Sequence, residues 1–165
     1  MPILSKNAPR ALSIAGAYPL LIAKGEKAIE IRCWGEKAHR GLTFLHASSG
    51  SAFEHSFAEW GLSRQQCPKY SFVGAADLVE VIQYDSPEKW EKDIPLHRWD
   101  ADYWEVVDCY DGKLPYGHRF RNPILFSDPI TNIEGTFRYW LPKSERQKAG
   151  FKRGIKLLET TGYLS

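Results

Sequence analysis

The sequence predicts an α+β protein built as a small mixed β-barrel. Several segments alternate apolar and polar residues with the period of two that is typical of β-strands. Few segments have helical spacing, and strands and helices do not alternate regularly, as they would in a doubly wound parallel sheet. The 165 residues are enough for one domain with a hydrophobic core and too few for two. We therefore expect a single domain over residues 1–165.

The first half of the chain is predicted to contain three strands and two helices. The predicted strands are 11–16, 27–34 and 41–48, and the predicted helices are 18–25 and 49–61. Pro19 suits the first turn of the first helix, and Gly25 suits the residue after its end. The second helix is predicted because Phe53, Phe57 and Trp60 recur at helical spacing.

The second half is predicted to contain further strands and a closing helix. The predicted strands are 72–84, 116–126 and 128–140, the last two joined by turns at Asn122-Pro123 and Asp128-Pro129. Gly74 and the alanines beside it predict that another element passes close to the first of these strands. Ser144 and Gln147 form a capping-box pattern at the start of a basic C-terminal helix within 141–165.

The predicted strand 27–34 carries charge on one face. With a period of two, the isoleucines share a face with Cys33, and Glu30, Arg32 and Trp34 share the other. An exposed ion pair on a strand is one interpretation, and such a pair contributes about 0–1 kcal/mol. A ligand site is the other, because an arginine fork recognises phosphate or a base edge and a tryptophan offers a stacking surface.

Charge is segregated along the chain although the net charge is only +2. Residues 84–116 hold nine acidic and four basic residues together with seven aromatic ones, so we expect this segment to fold onto the core, either as a packed insertion or as a flap beside a site.

Residues 143–156 hold six basic residues and one acidic residue. The predicted helix places Lys148, Lys152 and Lys156 in one row, with Arg146 and Arg153 adding to it. A basic face of this kind is either simply solvated or a contact for a nucleic-acid backbone.

Several function classes are disfavoured. The five histidines show no HExxH or zinc-deaminase pattern, so we expect no metal site. There is no GxSxG, P-loop or dinucleotide fingerprint, and we expect no cofactor. No apolar run reaches the roughly 18 residues of a membrane span, and residues 1–10 contain no signal-peptide core. Three scattered cysteines (Cys33, Cys67, Cys109) are typical of reduced thiols, and we expect a cytoplasmic protein without membrane association.

The segments ALSI, YPLLIAKGEKAIEIRCW, GLTFLHAS, VGAADLVEV and EGTFRYW, in this order, resemble the ASCH domain, a branch of the PUA-like superfamily. The most specific element is G-x-K-x-x-E-x-R, formed here by Gly25, Lys27, Glu30 and Arg32. The resemblance covers about residues 11–140 and implies a PUA-like barrel with helices packed outside. It also implies binding of nucleic acid, RNA more than DNA, or of a nucleotide-like ligand in a pocket at this strand.

A small branch of the family hydrolyses N4-acetylcytidine, which makes a small amidohydrolase acting on an acylated nucleoside the alternative function. That branch uses a lysine, a threonine three residues later and a glutamate elsewhere. Lys27 matches the lysine, Glu30 stands at the threonine position, and no motif identifies the third group. Under this alternative Lys27 and Glu30 are the candidate catalytic residues. A third alternative is an interaction module that uses the aromatic segment 84–116.

The candidate residues fall into two sets. The expected ligand-binding residues are Tyr18, Lys27, Glu30, Arg32, Trp34, His46 and Ser48. The expected contacts to a nucleic-acid backbone are Arg146, Lys148, Lys152, Arg153 and Lys156. The partner is expected to be RNA, single-stranded DNA or a modified nucleoside.

Overall fold

The computed structural model describes residues 8–163. The prediction that residues 1–10 contain no signal-peptide core concerns a segment that lies mostly outside the described residues. Among residues 8–163, six strands form one sheet: β1 (Arg10–Ile14), β2 (Ile29–Arg32), β3 (Gly41–Ala47), β4 (Ser71–Gln83), β5 (Tyr116–Ile130) and β6 (Tyr139–Trp140). Six α-helices in the same range accompany it: α1 (Tyr18–Ala23), α2 (His55–Glu59), α3 (Pro87–Lys92), α4 (Ile94–His97), α5 (Tyr103–Cys109) and α6 (Glu145–Thr160), with a 3-10 turn at Arg64–Gln66. The predicted α+β class is confirmed.

The sheet is mixed and curls into a half-barrel. Its strand order is β2-β5-β4-β3-β1-β6, in which β1 and β3 are parallel and the other neighbours are antiparallel. The register between β4 and β5 shifts at three places, and such irregularities bend long strands. The short motif strand β2 therefore lies at one edge of the curled sheet, paired to the first residues of β5.

Both faces of the sheet are covered. Every residue of β3 is buried, and its side chains alternate between two apolar clusters: Leu45 belongs to the cluster with α1, and Phe44 to the cluster with α6. A side chain at Gly74 would collide with the backbone of β5 and with Ala23 of α1, which confirms the predicted close approach. Gly154 lets α6 come equally close to Phe44.

The acidic segment folds onto the core, as its aromatic content predicts. It forms α3, α4 and α5, and its buried side chains Trp90, Tyr103 and Val106 pack against Ile29 and Ile31 of the motif strand. The apolar face of β2 is thus covered by this segment, which also brings its α4–α5 connection to the edge of the sheet.

Several predicted boundaries are wrong. The first predicted late strand and the start of the second form one strand, β5, which is followed by an irregular loop, 131–138. The predicted turns do not interrupt β5: Asn122 adopts a left-handed conformation (φ 52°), and the chain continues past Pro123 and Pro129 in extended form. The predicted helix 49–61 contracts to α2, since Phe53 also has a left-handed φ of 64°. The motif strand ends at Arg32, so Cys33 and Trp34 lie in a bend rather than on the strand.

Candidate functional site at the motif strand

The motif strand β2 and the residues just before it carry three charged side chains in a row. Lys27 Nζ lies 3.7 Å from Glu30 Oε1, and Arg32 Nη2 donates a 3.0 Å hydrogen bond to Glu30 Oε2. Lys27 and Glu30 are buried, whereas Arg32 keeps 24% of its side chain exposed. A second bond from Arg32 Nη2 to the carbonyl oxygen of Ser13 (3.0 Å) fixes the guanidinium. The row therefore runs from a buried amine to an anchored cation that reaches solvent.

Lys27 is enclosed by the α3–α5 segment. Its Nζ donates a 2.5 Å hydrogen bond to the carbonyl oxygen of His97 and lies 5.3 Å from the centre of the Tyr18 ring. Burial lowers the pKa of Lys27 from its ordinary value, and the carboxylate of Glu30 opposes that shift. The Lys27 amine therefore loses its proton more easily than the amine of a surface lysine.

A cavity of about 490 Å³, here called the motif cavity, opens above this row. Its β2 side holds Lys27, Glu30 and Arg32, and Tyr18 lies at its edge. The other walls come from two regions of the chain. Phe53 before α2 and His55 and Glu59 of α2 form one, and the other consists of His97 at the end of α4, Arg98, Trp99 and Asp100 in the α4–α5 connection, and Tyr110 after α5. The acidic segment is thus both a packed insertion and one wall of this cavity.

A second cavity of about 720 Å³, here called the rim cavity, lies on the other side of Arg32. Its lining consists of Ser13, Arg32, Trp34, His46, Ser48, Ser49, Tyr70 and the loop residues 134–138. The guanidinium carbons of Arg138 and Arg32 lie 5.0 and 5.8 Å from the centre of the Trp34 ring. Arg32 is the charged side chain that both cavities share.

Trp34 is held from behind by a buried polar pair. Its ring packs edge-to-face on His118 (4.9 Å between centroids) and on Tyr139 (5.9 Å). His118 Nε2 lies 2.9 Å from the carbonyl oxygen of Trp34, which can only accept, so Nε2 carries the proton and Nδ1 accepts from the Tyr139 hydroxyl (2.8 Å). Burial lowers the pKa of His118 to about 4, which keeps the ring neutral at pH 7 and this tautomer in place.

His46 has a similar role at the opposite wall. Its Nε2 donates to the carbonyl oxygen of Ile133 (2.6 Å), and Nδ1 therefore accepts from the Ser13 hydroxyl (2.9 Å), which itself accepts from Trp140 Nε1 (3.1 Å). Burial lowers the pKa of His46. This side chain is only 1% exposed, so it positions the wall and offers almost no surface to a ligand.

Backbone strain is concentrated at the two cavities. Seven non-glycine residues among residues 8–163 have a positive φ. Three of them are Asp or Asn, which tolerate this region, and the four bulky ones are Phe53, Tyr70, Arg98 and Arg138. Phe53 and Arg98 line the motif cavity, and Tyr70 and Arg138 line the rim cavity. Strained residues of this kind cluster where the surrounding structure holds a side chain for a purpose other than packing.

The structure divides the predicted ligand-binding residues between the cavities. Tyr18, Lys27 and Glu30 line the motif cavity, Trp34, His46 and Ser48 line the rim cavity, and Arg32 belongs to both. Sequence reasoning missed the loop residues Tyr70, Phe137 and Arg138, because their isolated positions follow neither a motif nor a periodicity. The only sequence signal for Phe137, whose side chain is 90% exposed, is that an aromatic residue stands directly before an arginine.

The predicted backbone contacts lie on α6, and all of them are exposed. The capping box of Ser144 and Gln147 is present, as predicted. The Gln147 side chain also donates to the carbonyl oxygen of Glu134 (2.8 Å), and Arg146 donates to Asn132 Oδ1 (3.2 Å), so the first turn of α6 is fastened to the loop of the rim cavity. Lys148 pairs with Glu145 at 3.7 Å on the surface.

Residues 8–163 contain neither a candidate metal-binding cluster nor a candidate membrane-spanning helix. No group of three or more His, Cys, Asp or Glu side chains in this range could hold a metal ion. No helix in the same range is both long and apolar enough to cross a membrane.

The curled mixed sheet, with a charged motif strand at its edge and helices packed outside, defines an α+β half-barrel of the PUA-like type. The sequence profile of the ASCH domain matches residues 12–115, more than half of the chain, and the protein therefore belongs to the ASCH domain family. This family has a PUA-like fold that is generally linked to RNA binding.

Solved structures agree on the fold. A crystal structure of the ASCH protein from Zymomonas mobilis matches with a TM-score of 0.59 at 15% identity, covering 88% of this chain and 94% of that one. A serine-to-alanine mutant of the same protein matches with a TM-score of 0.61 at 14% identity, covering 93% and 98%. A tyrosine-to-phenylalanine mutant matches with a TM-score of 0.60 at 14% identity, covering 89% and 98%. No curated protein matches the sequence significantly.

Proposed function

We propose that this ASCH protein binds nucleic acid, RNA in preference to DNA, or a nucleotide-like ligand, at the motif strand. The observation that carries the proposal is the position of Arg32. Its guanidinium is fixed by Glu30 and by the Ser13 carbonyl oxygen, and it lies where the motif cavity and the rim cavity meet. An anchored guanidinium binds phosphate or a base edge with little further loss of side-chain entropy.

The surroundings of Arg32 suit a nucleotide on both sides. The motif cavity offers the rings of Tyr18, Trp99 and Tyr110, against which a base can pack. The rim cavity offers Trp34 and the second cation, Arg138. Aromatic faces next to arginines are the usual means by which proteins hold unpaired bases together with their phosphates.

The basic face of α6 extends this surface. Lys148, Lys152 and Lys156 are exposed at intervals of four residues, which corresponds to about 6 Å along the helix. Because Gln147 and Arg146 bind the loop of the rim cavity, this row begins beside the cavity. A strand lying in the rim cavity can therefore continue along α6 with its phosphates near the lysines.

Fluorescence anisotropy with labelled decanucleotides tests the proposal. We expect Arg32→Gln to weaken binding of single-stranded RNA by about 1–3 kcal/mol, roughly 5- to 150-fold, because one anchored phosphate or base contact is lost. Arg119→Gln is the matched control, since Arg119 is similarly exposed, pairs with Glu80 at 3.7 Å and lines neither cavity. Equal affinities of the two variants, or no binding by the wild-type protein, would contradict the proposal.

A second candidate function, hydrolysis of an acylated nucleoside such as N4-acetylcytidine, is favoured by one observation. The pKa of Lys27 is lowered by burial, and the amine has the Glu30 carboxylate 3.7 Å away at the floor of the motif cavity. A lysine with a lowered pKa can act as a general base or nucleophile, and a neighbouring carboxylate can exchange protons with it.

Incubation with N4-acetylcytidine and detection of cytidine separates the two functions. Hydrolysis requires turnover by the wild-type protein and its loss in Lys27→Met, with a melting curve showing that the variant is folded. Turnover that persists in folded Lys27→Met, or its absence from the wild-type protein, would exclude this candidate and leave the binding function as it stands.

A further inference from the structure

The rim cavity has features that the motif does not require. The Phe137 side chain is 90% exposed and Tyr70 is 43% exposed, so two aromatic rings face solvent at the lining of one cavity. Burying a phenylalanine ring stabilises a fold by about 1.5–3 kcal/mol relative to leaving it in water. The Phe137 ring does not contribute in this way, because it is not part of the hydrophobic core. Exposed aromatic side chains grouped at a cavity mark a surface that contacts something else.

The loop that carries Phe137 is held in place. A side chain at Gly135 would collide with the Ser13 hydroxyl and come within 2.7 Å of the His46 ring, so the loop backbone lies directly on the β1 and β3 strands. The backbone N–H of Ile133 donates to the carbonyl oxygen of Tyr70 (2.8 Å), which fastens the two aromatic loops to each other. The backbone that carries Phe137 is therefore held by these contacts, and the exposed position of the ring is a feature of the folded loop.

The exposed rings lie beside strained backbone and an arginine without an ion-pair partner among residues 8–163. Tyr70 (φ 63°) and Arg138 (φ 55°) are both held in the left-handed conformation, which costs bulky residues about 1 kcal/mol or more. Arg138 makes no ion pair of 4 Å or less with any residue in 8–163, so its cation stays available above the Trp34 ring. Ser48, Ser49 and Thr136 add hydroxyl groups to the lining, and Glu134 adds a carboxylate suited to accept from an exocyclic amine.

We propose that the rim cavity is a second subsite, which stacks an unpaired base against Phe137 and Tyr70 while Arg32 and Arg138 contact the adjoining phosphates. The inference rests on the proposed function and deepens it by naming the ligand class. One cavity on each side of Arg32 requires at least two successive nucleotides with splayed bases. The partner is accordingly a single-stranded stretch, or an unpaired loop, and a continuous duplex is excluded because its bases are stacked on each other.

The test compares four ligands: a decanucleotide of adenosine, one of uridine, a blunt-ended duplex of similar length without unpaired nucleotides, and adenosine monophosphate. The wild-type protein is expected to bind the single strands more tightly than the duplex and the monophosphate. Phe137→Ala is expected to weaken single-strand binding about 5- to 150-fold, the range for loss of one stacked base, and to change monophosphate binding less than 2-fold. Leu125→Ala is the matched control, because Leu125 is 46% exposed and lines neither cavity.

Two further variants distinguish stacking from general apolar contact. Phe137→Trp is expected to keep wild-type affinity, and Phe137→Leu to bind as weakly as Phe137→Ala, since leucine has no aromatic face. In a decanucleotide that contains 2-aminopurine, binding to the wild-type protein should quench the fluorescence of that base, and Phe137→Ala should restore it.

The outcomes separate the subsite from the function on which it rests. If the wild-type protein binds and Arg32→Gln does not, while Phe137→Ala binds single strands normally, the second subsite is wrong and the motif site stands. If the blunt-ended duplex binds as tightly as the single strands, the subsite is equally wrong. Conversion of a dimer to a monomer by Phe137→Ala without loss of binding would assign the ring to a contact between copies and also overturn the inference. If the wild-type protein binds none of the four ligands, both proposals fail.

Discussion

The two cavities beside Arg32 are built by different means. The motif cavity has a floor of buried charges, Lys27 and Glu30, covered by the α3–α5 segment. The rim cavity has neutral buried histidines behind it and exposed aromatic and cationic side chains at its mouth, Phe137 and Arg138. The charged floor of the motif cavity comes from a motif of eight residues, whereas the mouth of the rim cavity is formed by loops far apart in the chain.

This difference separates stability from recognition. A charge removed from the buried row takes an ion-pair partner away from a side chain that is desolvated, so changes in the motif cavity should act on folding as well as on binding. A side chain removed from the mouth of the rim cavity exposes little that was buried, so changes there should act on binding alone. The predictions below test that separation.

The largest expected effect is acid destabilisation, which involves both cavities. Burial lowers the pKa values of His97, beside the motif cavity, of His118, behind Trp34, and of His39 to about 4, from an ordinary value of 6.5. The unfolded chain therefore takes up protons first as the pH falls, and the stability present above pH 6.5 is lost progressively toward pH 4. We expect a loss of about 2 kcal/mol per histidine between pH 7 and pH 5, measured by urea unfolding. An unfolding free energy that is the same at the two pH values would show that these rings are not held neutral.

Removal of the motif lysine should have the next largest effect. Lys27→Met keeps most of the side-chain volume but removes one of the two cations paired with the buried Glu30 and leaves the carbonyl oxygen of His97 without its donor. We expect about 3–5 kcal/mol of destabilisation in urea unfolding, the usual cost of breaking a buried pair by removing one member. Lys148→Met is the control, because its ion pair with Glu145 lies on the surface and contributes about 0–1 kcal/mol. If both variants lose less than about 1 kcal/mol, the buried row does not stabilise the fold.

The lysine row of α6 should affect binding without affecting the fold. Each phosphate contact contributes roughly 0.7–0.9 to the slope of log affinity against log salt concentration. Replacing Lys148, Lys152 and Lys156 with glutamine should therefore flatten that slope by about two units and weaken all single-stranded sequences alike. An unchanged slope would mean that this face of α6 is merely solvated.

The smallest expected effect concerns the support of the rim cavity. Ser144→Ala removes the cap of α6 and should cost about 1 kcal/mol of stability. Because the capped turn contains Gln147, which holds the carbonyl oxygen of Glu134, single-strand binding should weaken while the motif cavity is unaffected. Ser51→Ala, at an exposed position outside both cavities, is the control; equal single-strand affinity in the two variants would uncouple α6 from the rim cavity.

The fold was predictable where side-chain periodicity is strong. The residue patterns of 41–48 and 72–84 predicted strands, Gly74 predicted the close approach of another element, and the aromatic content of residues 84–116 predicted that the acidic segment packs. The end of β2 and the continuity of β5 were not predictable, because they depend on the left-handed turn at Asn122 and on pairing with distant strands. Single-sequence patterns carry no information about such pairing.

The candidate site was predictable only in part, for the same reason. Lys27, Glu30 and Arg32 could be grouped because they are neighbours in the chain, but their division between two cavities depends on the α4–α5 connection and on loop 131–138. The predicted position of Trp34 on the same strand face as Arg32 was wrong, since the strand ends at Arg32 and the chain bends there, which packs the Trp34 ring on His118. Phe137 and Tyr70 lie sixty-seven positions apart in the chain, and only the folded protein brings them to the lining of the same cavity.

The most direct test of the central claim, that one strand occupies both cavities, uses the indole N–H signals of the ¹⁵N-labelled protein. Trp34 lines the rim cavity and Trp99 the motif cavity, whereas Trp104 is 62% exposed and lines neither. On titration with a single-stranded hexanucleotide we expect the Trp34 and Trp99 signals to shift together along one saturation curve, with Trp104 unchanged. Saturable binding that leaves both Trp34 and Trp99 unmoved, or that moves only one of them, would contradict the claim.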